Sequence, residues 1–173
     1  MEALRKNWQV MAPAPIKRRA RSAADRSADD LAQVFQERYE RMVRLAYLMT
    51  ADRYAAEEVV QDAFLALHRH WDDVDQPSAY LRTAVVNGCI SWGRRQALAR
   101  ERETTGPASL PFVADEMGDA LKRLPKHQRT AIVLRYYADL PEAEIAAVLQ
   151  CRRATVRSAI HRGIAALRKE IER

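Results

Sequence analysis

Along this chain apolar side chains recur at helical spacing and almost nowhere alternate. From Asp29 onward, Leu31, Val34, Phe35, Met42, Val43, Ala46 and Met49 fall on one face of a helix that Asp29 or Asp30 is placed to cap. A second run begins near Ala51-Asp52-Arg53. Its Ala56, Val59, Val60, Ala63, Phe64 and Leu67 form an i, i+3, i+4, i+7 stripe, which Trp71 extends. The acidic stretch Asp72-Asp73-Val74-Asp75 breaks that stripe, and Pro77 suits the first turn of a third helix. This helix sets Tyr80, Leu81, Ala84, Val85, Cys89 and Trp92 on one face and runs to about Arg102.

Residues 104–115, with Gly106, Pro107 and Pro111, cannot continue a helix and read as a linker. Beyond it come a short helix to Leu124 and a helix through Ala131, Ile132, Leu134 and Tyr136 to about Ala138. A third starts at Pro141 and carries Ile145, Ala146, Val148 and Leu149. After a break at Gln150-Cys151-Arg152, the last helix spans Arg153 to Ile171. The pattern predicts an all-α fold of two small helical domains, 29–103 and 116–173, on a flexible linker, 104–115. A flexible basic arm, 1–28, precedes them. Extended at about 3.3 Å per residue, the linker reaches roughly 40 Å, so the domains are tethered but need not touch.

Composition narrows the chemistry. At 173 residues and 48% hydrophobic, the chain can bury a core, and its five glycines leave little material for phosphate-cradling loops. No Walker-type or Rossmann-type glycine pattern is present. Cys89 and Cys151 are the only cysteines; they exclude a disulfide framework and a cysteine-rich zinc site, and both read as structural. His68 and His70 stand two apart, where a helix aims them in different directions, so they read as solvated rather than metal-binding. No apolar run reaches the ~20 residues of a membrane span, and the N-terminal stretch is not a signal peptide. The sequence offers no catalytic constellation and calls for no cofactor; the expected setting is the reducing cytoplasm.

The net charge of +6 is unevenly placed. Residues 31–81 carry five arginines against nine acids, net −4, whereas residues 82–102 carry five arginines against one acid, net +4. Residues 152–169 hold six Lys and Arg and no acid. The last two helices also have helix-turn-helix spacing. At 100° per residue, Val156, Ile160, Gly163, Ile164, Leu167 and Ile171 gather on one side of the final helix, with Ser158 and Arg162 roughly opposite and Arg157 on the flank. Such a helix fits a DNA major groove, whose phosphates attract its charge; a solvated amphipathic helix is the plainer alternative. Tyr80 and Trp92 either stack on unpaired bases beside the basic third helix or pack in the core.

Taken together, these residues resemble a family. Glu57-Glu58-Val59-Val60-Gln61-Asp62-Ala63-Phe64, Trp71, Pro77-Ser78-Ala79-Tyr80-Leu81-Arg82, Val86-Asn87 and Arg94-Arg95 are similar to region 2 of extracytoplasmic-function sigma factors. Leu124-Pro125-Lys126-His127-Gln128-Arg129, Leu134-Arg135-Tyr136-Tyr137, Glu144-Ile145-Ala146, Thr155-Val156-Arg157-Ser158 and His161-Arg162 are similar to region 4. The Ala/Arg-rich wording resembles actinobacterial members.

The resemblance implies an alternative sigma factor without enzymatic activity of its own, which binds core RNA polymerase and promoter DNA. Glu58, Gln61 and Asp62 match the positions that dock on the clamp coiled coil of the polymerase. An acidic face there suits a basic partner. Asn87, Tyr80, Arg94 and Arg95 match the minus-10 surface, the two arginines on backbone phosphates. Arg153, Thr155, Arg157, Ser158 and Arg162 match the minus-35 surface of a domain that also docks on the polymerase flap. An anti-sigma factor is a further implied partner; a membrane is not.

Three positions depart from the family pattern. Gln150 stands where the turn usually has glycine, Arg152 replaces the usual Ser or Thr cap, and Ala159 replaces a common arginine. The alternative is a stand-alone helix-turn-helix regulator, for which the Gln61-Asp62 face and Asn87 have no purpose.

Overall fold

The computed structural model describes residues 28–100 and 116–171. The expectations for the basic arm and the linker fall outside those residues. Every regular element described is helical: α1 (Ala28–Thr50), α2 (Arg53–Arg69), α3 (Pro77–Arg100), α4 (Glu116–Arg123), α5 (Lys126–Ile132), α6 (Glu142–Leu149) and α7 (Arg153–Ile171). The all-α expectation holds, with element limits close to those read from the apolar pattern.

Local chemistry explains the ends. Asp29 and Asp30 lie inside α1 rather than ahead of it, so neither has the predicted capping position. The next junction is tightly specified. Ala51 turns left-handed (φ 58°) and its N–H donates to the Tyr47 carbonyl at 2.7 Å, closing α1. Asp52 then caps α2, its Oδ1 accepting from the Ala55 N–H at 3.0 Å. The buried Thr50 hydroxyl donates to the Ala46 carbonyl at 2.9 Å and accepts from the Asp52 N–H at 3.2 Å. After α2 the acidic stretch forms a short 3-10 turn, Trp71–Asp73, and Pro77 opens α3.

Helices α1, α2 and α3 pack on one another. Leu45, Val60, Leu67, Leu81, Val85 and Val86 are among the fully buried side chains of their core. Apolar burial at about 25 cal/mol per Å² is the main stabilising force of such a bundle. In the second domain α7 lies across α4, α5 and α6, around Leu134, Ile145 and Val156. Gly163 makes that close approach possible: a Cβ there would sit 2.5 Å from Ile132 Cδ1 and 3.3 Å from Gln128 Cβ. A larger residue would require the Ile132 side chain or the helices themselves to shift.

One feature departs from the sequence reading and another goes beyond it. The helix expected to run on to Ala138 widens into a π-helical segment, Val133–Tyr137, with the Ala138 N–H donating to the Val133 carbonyl at 3.0 Å. The extra residue in this turn leaves Tyr136 exposed and turns Tyr137 toward α1, where its hydroxyl donates to the Arg41 carbonyl at 3.4 Å. The domains, which need not touch, do touch: α1 packs on α4, α5 and the π segment. Arg82 donates to the Ala138 carbonyl at 3.4 Å, and the Lys122 ammonium lies 4.9 Å from the Tyr47 ring centre. Arg129 is buried between the domains, donating at 3.4 Å to the carbonyls of both Lys122 and Met49. Burial lowers its guanidinium pKa from the ordinary arginine value.

Candidate nucleic-acid and polymerase interfaces

The helix-turn-helix is built from α6, a tight turn and α7. Pro141, with an extended backbone, precedes α6, and the Ile145 N–H bonds the Pro141 carbonyl at 3.0 Å. The turn rests on Gln150, whose backbone is left-handed (φ 53°, ψ 45°). Glycine adopts this conformation without cost, whereas a side chain with a Cβ is strained by it. The sequence departure at Gln150 is thus a local strain at the centre of the motif. Across the turn the Cys151 N–H donates to the Ala146 carbonyl at 3.0 Å. The Arg152 carbonyl accepts the first helical bonds of α7, from Thr155 at 2.9 Å and Val156 at 3.2 Å. Arg152 thereby occupies the cap position of α7 with a side chain that cannot accept a hydrogen bond.

Burial divides α7 as the periodicity predicts. Val156, Ala159, Ile160 and Leu167 are buried, while Arg153, Thr155, Arg157, Ser158 and Arg162 are all exposed. Ala159 lies on the inward side, so an arginine there would be aimed into the protein. The exposed arginines are not all loose. Glu142, the first residue of α6, accepts from Arg153 Nε at 3.1 Å and from Arg157 Nη2 at 3.0 Å, both on Oε2. Its Oε1 lies 3.5 Å from Arg157 Nε. Arg157 first and Arg153 second hold the Glu142 carboxyl below the usual carboxylate range, and Glu142 raises the Arg157 pKa. The sequence reading missed Glu142, because nothing in the spacing of residues 142, 153 and 157 announces a contact.

On α2, Glu58, Gln61 and Asp62 are exposed, and Leu65, 53% exposed, extends the same face. The opposite face buries Val60, Ala63 and Leu67. An acidic strip with one apolar side chain can dock on a basic protein surface, the apolar contact adding burial to the charge match. Phe64 packs edge-on against Phe35, with ring centres 4.9 Å apart, and ties α2 to α1.

The basic half of α3 offers a second cationic surface. Arg94 and Arg95 are exposed and Asn87 is half-buried. Tyr80 is placed otherwise: it is 8% exposed, its hydroxyl is buried, and burial raises its pKa. Its ring belongs to the core, so Tyr80 is not available as a stacking platform in this arrangement. Trp92 faces the second domain, with the Lys126 ammonium 5.9 Å from its ring centre.

Arg94 donates to the Gln150 side chain at 3.0 Å, joining α3 to the helix-turn-helix. Beside this bond a cavity of about 500 Å³ opens between the domains, lined by Cys89, Ile90, Ala131, Cys151 and Val156 among others. Cys89 is buried, its thiol pushed up well above the ordinary range by desolvation. Such a thiol is a poor nucleophile. Among the described residues no cluster of histidine, cysteine or carboxylate side chains could hold a metal ion, and no helix is long and apolar enough to cross a membrane.

Comparison with known proteins matches these two helical units to two family descriptions. Residues 34–99 match sigma-70 region 2, and residues 114–167 match sigma-70 region 4. The chain is 30% identical over 149 residues to the RNA polymerase sigma-E factor of Streptomyces avermitilis, covering 78% of this chain and 81% of that one. It is 31% identical over 160 residues to the sigma factor SigM of Mycobacterium tuberculosis, covering 86% and 79%. It is 26% identical over 180 residues to SigW of Bacillus subtilis, covering 90% and 96%. Among solved structures, the sigma factor RpoE of Bartonella quintana, crystallised with the anti-sigma factor NepR, superposes with a TM-score of 0.63. It is 20% identical and covers 84% of this chain and 98% of that one. That likeness is one of fold.

Proposed function

The chain belongs to the extracytoplasmic-function group of sigma-70 factors, and on that premise we propose which of its residues do the work of an alternative sigma factor. Such a protein binds core RNA polymerase, recognises the minus-10 and minus-35 promoter elements and directs transcription initiation. In this reading it contributes no catalytic group, and it acts in the cytoplasm, where the polymerase and the promoter are. The domains are 29–103 and 116–173, joined by the linker 104–115 and preceded by the basic arm 1–28.

The outer surface of α7 carries the reading. Arg153, Thr155, Arg157, Ser158 and Arg162 are exposed together, on a helix whose other side is anchored by Val156, Ile160 and Leu167. They are assigned to the minus-35 element. Asn87, Arg94 and Arg95 are assigned to the minus-10 element, with the arginines on phosphates. Glu58, Gln61 and Asp62, with Leu65 beside them, are assigned to the clamp coiled coil, and the second domain to the flap. An anti-sigma factor remains a partner to seek, since the Bartonella relative was crystallised with one.

In vitro transcription with core polymerase on a promoter library tests the assignment. The wild-type protein is expected to start RNA at a discrete promoter set. Asp62→Lys is expected to lower affinity for core polymerase about tenfold while leaving the fold unchanged by circular dichroism. Equal core affinity would remove Asp62 from the docking surface. Absence of any start site would instead favour a regulator that binds operators alone.

A further inference from the structure

The recognition surface contains a carboxylate that the DNA-reading assignment does not use. Residues 152–169 have no acid, yet Glu142 reaches this surface from the neighbouring helix. One Glu142 oxygen, Oε2, accepts from Arg153 Nε at 3.1 Å and from Arg157 Nη2 at 3.0 Å. The other, Oε1, lies 3.5 Å from Arg157 Nε. Arg153 and Arg157 stand one helical turn apart, with side chains 65% and 68% exposed, while that of Glu142 is 22% exposed. The acid is tucked behind two outward-facing cations. Its neighbour Glu144 is exposed and lies about 200° further round α6, so the chain presents one of two nearby acids to α7.

The edges of each guanidinium decide what this does. Arg157 spends its Nε/Nη2 edge on Glu142, a fork-on-carboxylate pairing. Its terminal edge, formed by Nη1 and the second hydrogen of Nη2, stays available for a guanine O6/N7 pair. Arg153 spends Nε alone and keeps both terminal nitrogens. The carboxylate also cancels one of the two positive charges, which weakens attraction to any phosphate regardless of sequence.

The geometry points to Glu142 as a positioning residue for promoter recognition: it holds Arg153 and Arg157 with their terminal forks outward and lowers their sequence-independent attraction to DNA. This rests on α7 reading the upstream element, as proposed above.

The test uses the full chain bound to core polymerase and a pool of promoter duplexes whose upstream element is randomised. Bound DNA is sequenced, and affinity for a random-sequence duplex is measured between 50 and 200 mM salt. The wild type is expected to select particular bases at the upstream positions. Glu142→Gln preserves size and removes the charge. It is expected to bind random duplex about threefold more tightly at the lowest salt, to steepen the salt dependence by up to about one phosphate contact, and to lose roughly tenfold in upstream discrimination. In an Arg157→Ala background the same substitution should cost much less discrimination. A selective wild type with a Glu142→Gln variant unchanged in both salt slope and discrimination overturns the inference alone, whatever the variant does to melting temperature. A wild type that selects no upstream sequence overturns the α7 assignment, and this inference with it.

Discussion

Gln150 shows how one residue can carry a departure that is visible in sequence and explained in structure. The turn between α6 and α7 needs a left-handed residue, and at φ 53° a glutamine supplies it against its steric preference. Gln150→Gly should therefore relieve about 1–2 kcal/mol of backbone strain, partly offset by loss of the exposed hydrogen bond to Arg94 and by the greater freedom of glycine in the unfolded chain, for a small net gain. Urea unfolding measures the net effect, and a loss of more than about 1 kcal/mol would mean that the Gln150 side chain matters more than its backbone strain. Arg152 illustrates the complementary case: its failure to cap α7 follows from its donors alone. The pairing of Glu142 with two arginines could not be foreseen from any single position.

At the scale of the element, α1 is completed by a residue from the other domain. Its last turn carries no basic side chain, so the orphan carbonyls and the negative end of the helix have no cation of their own. Arg129 of α5 provides one, donating to the Met49 carbonyl at 3.4 Å. Its Nε is nevertheless buried without a partner. A buried guanidinium with incomplete bonding costs much of what it contributes, so an apolar side chain of similar length should serve almost as well. Arg129→Met is expected to remain within about 1 kcal/mol of wild type, whereas Arg129→Ala, which leaves a cavity, should lose about 2–3 kcal/mol. Chemical denaturation of both variants checks this; a methionine variant as weak as the alanine variant would show that the charge on α1 dominates. The π segment is likewise an element-level outcome, since the apolar pattern through Val133 and Leu134 fits a regular α-helix equally well.

For the whole molecule, the closed packing of the domains conflicts with simultaneous reading of two promoter elements. Minus 10 and minus 35 are about 25 base pairs apart, or roughly 85 Å at about 3.4 Å per base pair. Here Arg94 of α3 and Gln150 of the helix-turn-helix are hydrogen-bonded to each other. Several of the hydrogen bonds between the domains are long ones to carbonyls, near 3.4 Å. On polymerase and promoter these links should break. Dyes placed at the exposed Glu40 and Ala165, one on each domain, should show energy transfer falling from the free protein to the promoter complex. Unchanged transfer would mean that one closed body engages the DNA, and the assignment of α3 and α7 to separate elements would fail.

Whatever depends on neighbours a few residues away was legible along the linear chain. Helical periodicity located the apolar faces of α2, α3 and α7, proline and glycine marked the interruptions, and local charge separated an acidic α2 face from basic α3 and α7. The motif order that carried the family resemblance is also a property of the linear chain. Tertiary structure decided whatever needed two distant segments to meet. It placed Tyr80 in the core, left Phe35 at the surface at 44% exposure, brought Glu142 to Arg153 and Arg157, and set Arg129 on the end of α1. Periodicity says which side of a helix is apolar, but not which neighbour covers it or how far that cover extends. A side chain on the apolar side is therefore buried, or left at the rim, only when the rest of the chain has packed around it.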